Sequence, residues 1–192
     1  LVGPDGPTHH GVFDISMMIN LPGIVVAAPK DGNELDDLLL TALESNVPFC
    51  IRYPKANSVN YHQTNISKIL EIGSWEYINK GKKIAIIATG SMVEVATDSI
   101  DLIKSKFEFM PTVINARFIK PFDKDFLDEV INNHDLIITM EEGALKGGFG
   151  SSILNYCKRD NITVESMGVP DSYIEHGTRQ ELLDLVGLNT KS

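Results

Sequence analysis

The stretch "IAIIATGSMVEVA", residues 84–96, decides the fold class of this chain. Its first five residues form a short, continuous apolar run, which is typical of a buried strand. Gly90 then interrupts the strand. Ser91 and Glu94 have the spacing of a helix capping pair, which predicts a helix running to about Lys104. A buried strand that leads directly into a helix is the repeating unit of α/β proteins.

The same alternation continues toward the C-terminus. Apolar runs at 112–115, 136–140 and 162–166 predict three further strands. Helices are expected after Pro121, over 153–157, and from a second capping pair, Thr178 and Glu181. Residues 75–78 are a candidate for an extra edge strand. Four apolar strands with intervening helices predict a doubly wound α/β domain over residues 71–192.

The first part of the chain carries a shorter version of this pattern. An apolar run at 24–28 is followed by a capping pair, Asp31 and Glu34, and then by a second run at 49–53. Strand, helix and strand in this order predict a parallel pair. Residues 55–70 are rich in Asn and Ser and are interpreted as a linker. We therefore divide the chain into residues 1–70, part of a parallel-sheet domain, and residues 71–192.

Composition and charge indicate which kinds of binding partner and cellular location to expect for the protein. The net charge of −9 disfavours nucleic acid, because an acidic surface repels phosphate backbones. No apolar run reaches the length of a membrane span, and the first residues lack the features of a signal peptide, so we expect a cytoplasmic protein without membrane contact. The start also lacks Met, which suggests a piece of a longer chain. Cys50 and Cys157 are expected to be free, buried thiols.

The segment "DGPTHHG", residues 5–11, concentrates residues that carry chemistry. Pro7 fixes one backbone angle, and the glycines on either side permit tight turns, so we expect a rigid loop. Both histidines can exchange a proton near neutral pH. A metal site has little support, because adjacent residues seldom aim at one ion. From the residues alone, a structural role and a functional role remain equally open.

Resemblance to a known family separates these alternatives. "DGPTHHGVFD" resembles the loop in the pyrimidine-binding domain of thiamin-diphosphate enzymes of the transketolase superfamily. Its form His-x-Gly-x-Phe-Asp, residues 9–14, is similar to that of the 1-deoxy-D-xylulose-5-phosphate synthases within that superfamily. Further blocks resemble the same family, in the same order: "APKDGNEL", "IRYPKAN", "ATGSMVEVA", "ARFIKPFD", "EEGALKGGFGSSI" and "GVPDSYIEHGT".

The resemblance implies a fold and a reaction. Residues 1–70 would be the last part of a pyrimidine-binding domain, and residues 71–192 a transketolase C-terminal domain. The family condenses pyruvate with D-glyceraldehyde 3-phosphate, with loss of carbon dioxide, and uses thiamin diphosphate and Mg²⁺. These 192 residues contain no Gly-Asp-Gly magnesium motif, and the Glu that activates the cofactor is expected upstream. The chain alone is therefore expected to be inactive and to bind no cofactor, and the resemblance implies a homodimer.

The resemblance also assigns site residues. His9 would face the reacting carbon and move a proton or donate to an oxyanion, and Asp5 would orient substrate hydroxyls. Lys55, where the family usually has Arg, would hold the acceptor's phosphate, with Arg52 beside it. His10 is expected to be structural. Residues 141–152 are expected to form a tight loop near an interface, shaped by Glu141, Glu142 and the glycines.

Two other classes stay open. One is a related part of an enzyme, either the β subunit of a 2-oxoacid dehydrogenase or a split C-terminal subunit of transketolase. The other is a non-catalytic α/β module that serves in assembly. The His-x-Gly-x-Phe-Asp form disfavours the first, and binding of thiamin diphosphate would distinguish the second.

Overall fold

A computed structural model of the protein describes residues 1–58, 61–62, 66–160 and 162–191. The helices are α1 (Asp14–Met18), α2 (Gly32–Glu44), α3 (Met92–Asp98), α4 (Ile100–Phe107), α5 (Lys124–Asn133), α6 (Phe149–Cys157) and α7 (Arg179–Leu185). The strands are β1 (Val25–Ala27), β2 (Phe49–Ile51), β3 (Glu76–Asn79), β4 (Lys83–Ala88), β5 (Thr112–Asn115), β6 (Phe118–Lys120), β7 (His134–Ala144) and β8 (Thr163–Val169). None of the helices in the described ranges is long and apolar enough to cross a membrane.

The larger sheet has five strands in the order β3-β5-β4-β7-β8. β4 pairs in parallel with β5 and β7, and β7 pairs in parallel with β8. β3 pairs antiparallel with β5 at one edge, as expected for an extra edge strand. The chain passes from β4 to β5 on one side and later reaches β7 on the other. The carboxyl end of β4 is therefore a topological switch point, the place where doubly wound folds form their sites.

The core covers both faces of this sheet. Ile87, Ile114 and Ile137 pack on one face with Phe149, and alternate residues of the same strands pack on the other face with Met92. Such two-sided burial explains why these strands are continuous apolar runs rather than alternating ones. The predicted α/β class is confirmed.

The smaller sheet has the order β2-β1-β6. β1 and β2 are parallel, as predicted. β6 was not predicted, because three residues between Arg117 and Pro121 give no periodic signal. It pairs antiparallel with β1, and Phe118 is fully buried in the small core that includes Leu38. The later part of the chain thus contributes a strand to the first sheet, and the division at residue 70 stays a prediction.

The helix predicted from Ser91 to about Lys104 is wrong in two respects. Ser91 has helical backbone angles and makes no capping bond, because its hydroxyl donates to Glu142 instead. The helix also breaks at Ser99, which separates α3 from α4. The Ser99 hydroxyl donates to the carbonyl of Ala96 at 2.7 Å, a local bond that competes with the helical pattern.

The other two capping pairs have different outcomes. Thr178 and Glu181 form the full reciprocal capping box at the start of α7, as predicted. At α2, Asp31 accepts from the backbone N–H of Glu34, but the Glu34 carboxylate does not return to Asp31. It accepts instead from the backbone N–H of Lys30 and is buried against Asn115. Tertiary partners therefore replace half of that capping box.

Candidate active site

The loop "DGPTHHG" is a compact turn at the start of the described chain. A 3₁₀ turn at Gly3–Asp5 leads into Gly6, which has a positive φ of 75°. The Gly6 carbonyl accepts from the backbone N–H groups of His9 at 3.0 Å and His10 at 3.2 Å. The backbone of both histidines is thus fixed through a single carbonyl oxygen.

The two adjacent histidines have different environments. His9 is exposed, and its Nδ1 lies 3.0 Å from the Thr8 hydroxyl oxygen. His10 is buried; its Nδ1 accepts from the backbone N–H of Val2 at 3.0 Å, and its Nε2 lies 3.4 Å from the carbonyl oxygen of Glu175. Because Nδ1 accepts, we assign the proton of neutral His10 to Nε2. His10 therefore anchors the loop, while the His9 imidazole is presented to solvent.

Asp5 and Lys55 meet across the loop. The Lys55 ammonium forms an ion pair with the Asp5 carboxylate, and 66% of the Lys55 side chain is exposed. The hydrogen bond from Lys55 lowers the pKa of Asp5 below its ordinary value. The structure thus brings together Asp5, Lys55 and the loop that carries His9.

Arg52 is committed elsewhere. Its Nε donates to both carboxylate oxygens of Asp14, at 2.9 and 2.8 Å, and its Nη2 donates to the backbone carbonyls of Gly11 and Glu142. The guanidinium therefore ties the end of "HHGVFD" to β7. This arrangement does not support the predicted phosphate-binding role of Arg52, and it explains the Asp at the end of that motif.

The carboxyl edge of the larger sheet supports the loop. The predicted tight loop at Glu141 and Glu142 is wrong, because β7 continues through both residues to Ala144 and both side chains are buried. The backbone N–H of Ala144 donates to the carbonyl of Val12 at 2.7 Å. The Glu142 carboxylate accepts from the Ser91 hydroxyl at 2.8 Å and forms an ion pair with Arg179. Acidic residues are disfavoured in strands, so only the buried partners of Glu141 and Glu142 explain why the strand continues through them.

Glu141 has a different role from its neighbour. Its carboxylate accepts from the backbone N–H groups of Phe149 at 2.9 Å and Gly150 at 2.8 Å, at the start of α6. Burial raises the pKa of Glu141 to about 7, and these two hydrogen bonds oppose that rise only in part. Glu141 is thus a buried cap for α6, supplied by a neighbouring strand.

Metal ligands do not gather in the part of the chain that is described: no three His, Cys, Asp or Glu side chains there lie close enough to hold an ion. The loop and Lys55 together present to solvent the His9 imidazole, the partly exposed Asp5 carboxylate and the Lys55 ammonium.

Comparison with known families is consistent with this geometry. The family described as "Transketolase, C-terminal domain" matches residues 73–192, and "Transketolase, pyrimidine binding domain" matches residues 1–59. The chain belongs to the transketolase family. The larger sheet is therefore that of a transketolase C-terminal domain, and the loop with His9 lies in the region matched by the pyrimidine-binding domain.

Curated relatives confirm the resemblance that the motifs indicated. The chain is 44% identical over 192 residues to 1-deoxy-D-xylulose-5-phosphate synthase of Dictyoglomus turgidum, with 98% of this chain and 31% of the relative covered. It is 42% identical over 193 residues to the same enzyme of Aquifex aeolicus, with 100% of this chain and 30% of the relative covered. The chain therefore spans about a third of the length of these relatives.

A solved structure described as "Split gene transketolase, inactive beta4 tetramer" is also similar. It superposes with a TM-score of 0.85 at 25% identity, and the match covers 96% of this chain and 59% of that one. The fold of nearly the whole described chain is thus shared with a transketolase-type subunit.

Proposed function

We propose that this chain is part of a 1-deoxy-D-xylulose-5-phosphate synthase and that it supplies the acceptor side of the active site. The observation that carries the proposal is the ion pair of Lys55 with Asp5, which lies on the same loop as the exposed His9, in a family member with about 40% identity to such synthases. The substrates are pyruvate and D-glyceraldehyde 3-phosphate, and the cofactors of the whole enzyme are thiamin diphosphate and Mg²⁺.

When bound, thiamin diphosphate supplies the nucleophilic carbon that carries the two-carbon unit left after pyruvate loses carbon dioxide. The aldehyde oxygen of the acceptor gains negative charge as the new carbon–carbon bond forms. The exposed imidazole of His9 then donates a proton or a hydrogen bond to that oxygen. Asp5, held ionised by Lys55, accepts hydrogen bonds from the acceptor's hydroxyl group.

Lys55 holds the phosphate of the acceptor. It keeps most of its surface exposed while it pairs with Asp5, so it can contact a phosphate at the mouth of the site. An ammonium binds phosphate as a point charge and lacks the two-pronged geometry of Arg. Arg52 does not share this task, because Asp14 and two carbonyl groups occupy it.

The decisive experiment is steady-state kinetics of the complete enzyme that contains this chain, with pyruvate and D-glyceraldehyde 3-phosphate. We expect His9→Ala to lower kcat by about 10²-fold, the usual scale for a positioned proton donor. His9→Gln, which can donate a hydrogen bond but cannot titrate, is the matched variant and should recover part of that loss. Equal activity of His9→Ala and the unmodified enzyme would contradict the proposal.

The same assay separates the synthase from the alternative of a split transketolase subunit, which the superposition with such a subunit favours. A transketolase takes its two-carbon unit from a ketose phosphate, whereas the synthase takes it from pyruvate. Turnover with a ketose phosphate and none with pyruvate would replace the proposed reaction with this one. We further propose that the enzyme is a cytoplasmic homodimer.

A further inference from the structure

A segment near the C-terminus lies directly against the loop that carries His9. This segment, residues 173–176, follows β8 and precedes the capping box of α7. Its residue Ile174 is buried in the same cluster as Val12, which fixes one side of the segment to the core. Tyr173, Glu175 and His176 remain exposed.

Three contacts join the segment to the loop and to the residue that follows it by two positions, Phe13. The imidazole of His176 packs on Gly6, so closely that a Cβ atom on Gly6 would overlap its ring. The carbonyl of Glu175 lies 3.4 Å from Nε2 of His10. The ring of Tyr173 meets the ring of Phe13 edge to face, with 6.2 Å between centroids.

The contact between His176 and Gly6 affects the position of His9. The Gly6 carbonyl accepts from the backbone N–H of His9, so any shift of Gly6 shifts the His9 backbone. Gly6 also has a positive φ, which glycine adopts readily and other residues rarely do. His176 thus limits the movement of the residue to which the His9 backbone is hydrogen-bonded.

We propose that His176 is a positioning residue for His9, and that the transketolase C-terminal domain thereby sets the geometry of the loop. His176 does not touch the reacting atoms; it acts through Gly6. The consequence for catalysis rests on the proposed function of His9, but the effect on the loop does not.

The first test is amide hydrogen exchange by NMR on this chain. His176→Ala should raise the exchange rates of the His9 and His10 amides about tenfold. His176→Phe, which keeps a flat ring over Gly6, should restore slow exchange. Glu165→Gln, which changes an exposed residue of β8, is the control, and the exchange rates of His9 and His10 should not change in it.

Unchanged exchange at His9 and His10 in a folded His176→Ala chain would overturn the proposal. If that variant does not fold, His176→Phe and His176→Gln give the same comparison between a ring and a flexible side chain. Equal exchange in those two variants would likewise overturn it.

The second test is kinetics of the complete enzyme. We expect His176→Ala to lower kcat about tenfold, with an unchanged unfolding midpoint and with recovery in His176→Phe. If kcat falls in proportion to the unfolding midpoint from variant to variant, His176 has a merely structural role and the proposal is contradicted. Absence of turnover by the unmodified enzyme would contradict the proposed function and leave hydrogen exchange as the test of positioning.

Discussion

At the level of single residues, the sequence motifs predict some contacts of the site and miss others. Asp5 and Lys55 are 50 positions apart, and the fold brings them into one ion pair. The family resemblance places both residues in one site, whereas no local sequence pattern connects them. The assignment of His10 as structural agrees with its burial. The resemblance predicts a phosphate-binding role for Arg52, because it stands beside Lys55 in the motif "IRYPKAN". Its partner Asp14 is 38 residues away, so only the fold reveals the pair.

The pairing of Asp5 with Lys55 predicts a measurable change in titration. Replacing Lys55 by Met removes the hydrogen bond that lowers the pKa of Asp5, so we expect this pKa to rise toward its ordinary value. NMR titration of the Asp5 carboxyl carbon measures the effect in this chain. Lys146→Met, which removes an exposed cation paired with Asp171, is the control and should leave Asp5 unchanged. An Asp5 titration curve unaffected by Lys55→Met would show that the ion pair does not form in solution.

Glu141 predicts how stability depends on pH. Burial raises the pKa of Glu141 in the folded chain to about 7, against an ordinary value of 4.5, so the ionised form is disfavoured by folding. The contribution of Glu141 to stability is therefore full below pH 4.5 and decreases as the pH rises through 7, by about 3 kcal/mol in total. Urea unfolding at pH 5 and pH 8 should show this decrease, and Glu141→Gln, which cannot ionise, should reduce it. Glu165→Gln changes an exposed Glu and should leave this decrease in stability unchanged. If stability falls equally between pH 5 and pH 8 in the unmodified chain and in both variants, the raised pKa of Glu141 would be contradicted.

At the scale of elements, the apolar runs located every buried strand of the larger sheet, because two-sided burial leaves a continuous hydrophobic signal. The ends of elements were less predictable. Ser91 has the sequence of a cap but donates to the buried Glu142, and β7 extends past its apolar run because Glu141 and Glu142 find partners inside. β6 could not be predicted, since its pairing with β1 joins parts of the chain about 90 residues apart. Short polar patterns therefore do not predict the end of a helix or strand when a partner distant in sequence binds the same side chain.

The capping box of α7 gives a prediction at this scale. Thr178→Ala removes the bond to the backbone N–H of Glu181, and the loss should lower the free energy of unfolding by about 1 kcal/mol. Denaturant unfolding measures this value. Ser105→Ala is the comparison: its exposed hydroxyl donates to a carbonyl inside α4 and caps no helix, so its effect should be smaller. Equal losses in the free energy of unfolding for the two substitutions would mean that the capping box contributes no more to stability than an ordinary hydroxyl hydrogen bond.

At the scale of the whole molecule, a partly buried ionic network joins the two sheets. Glu34 on α2 and Glu76 on β3 both accept from Asn115 and both pair with Arg117. Lys30 pairs with the same two carboxylates. Sequence could not reveal this network, because Glu34 has the spacing of a capping residue and its partners Asn115 and Arg117 lie about 80 residues further along the chain. Together with β6, it makes the region matched by the pyrimidine-binding domain continuous with the C-terminal domain.

The exposed apolar side chains lead to the last prediction, the assembly of the chain. The resemblance predicts a homodimer interface mostly within residues 71–192, but an exposed apolar stripe also lies earlier: Phe13, Met17 and Leu21, spaced four apart, are 39%, 63% and 48% exposed. Exposed stripes of this kind mark contact surfaces, and a two-fold axis is the commonest way to cover them. Light scattering at micromolar concentration should give a dimeric mass for this chain and a monomeric mass for the double variant Met17→Glu with Leu21→Glu. Leu39→Glu with Leu43→Glu, in a comparable stripe on α2, should stay dimeric. A monomeric mass for the unmodified chain would contradict the dimer, and loss of the dimer only in the α2 variant would place the contact on the other stripe.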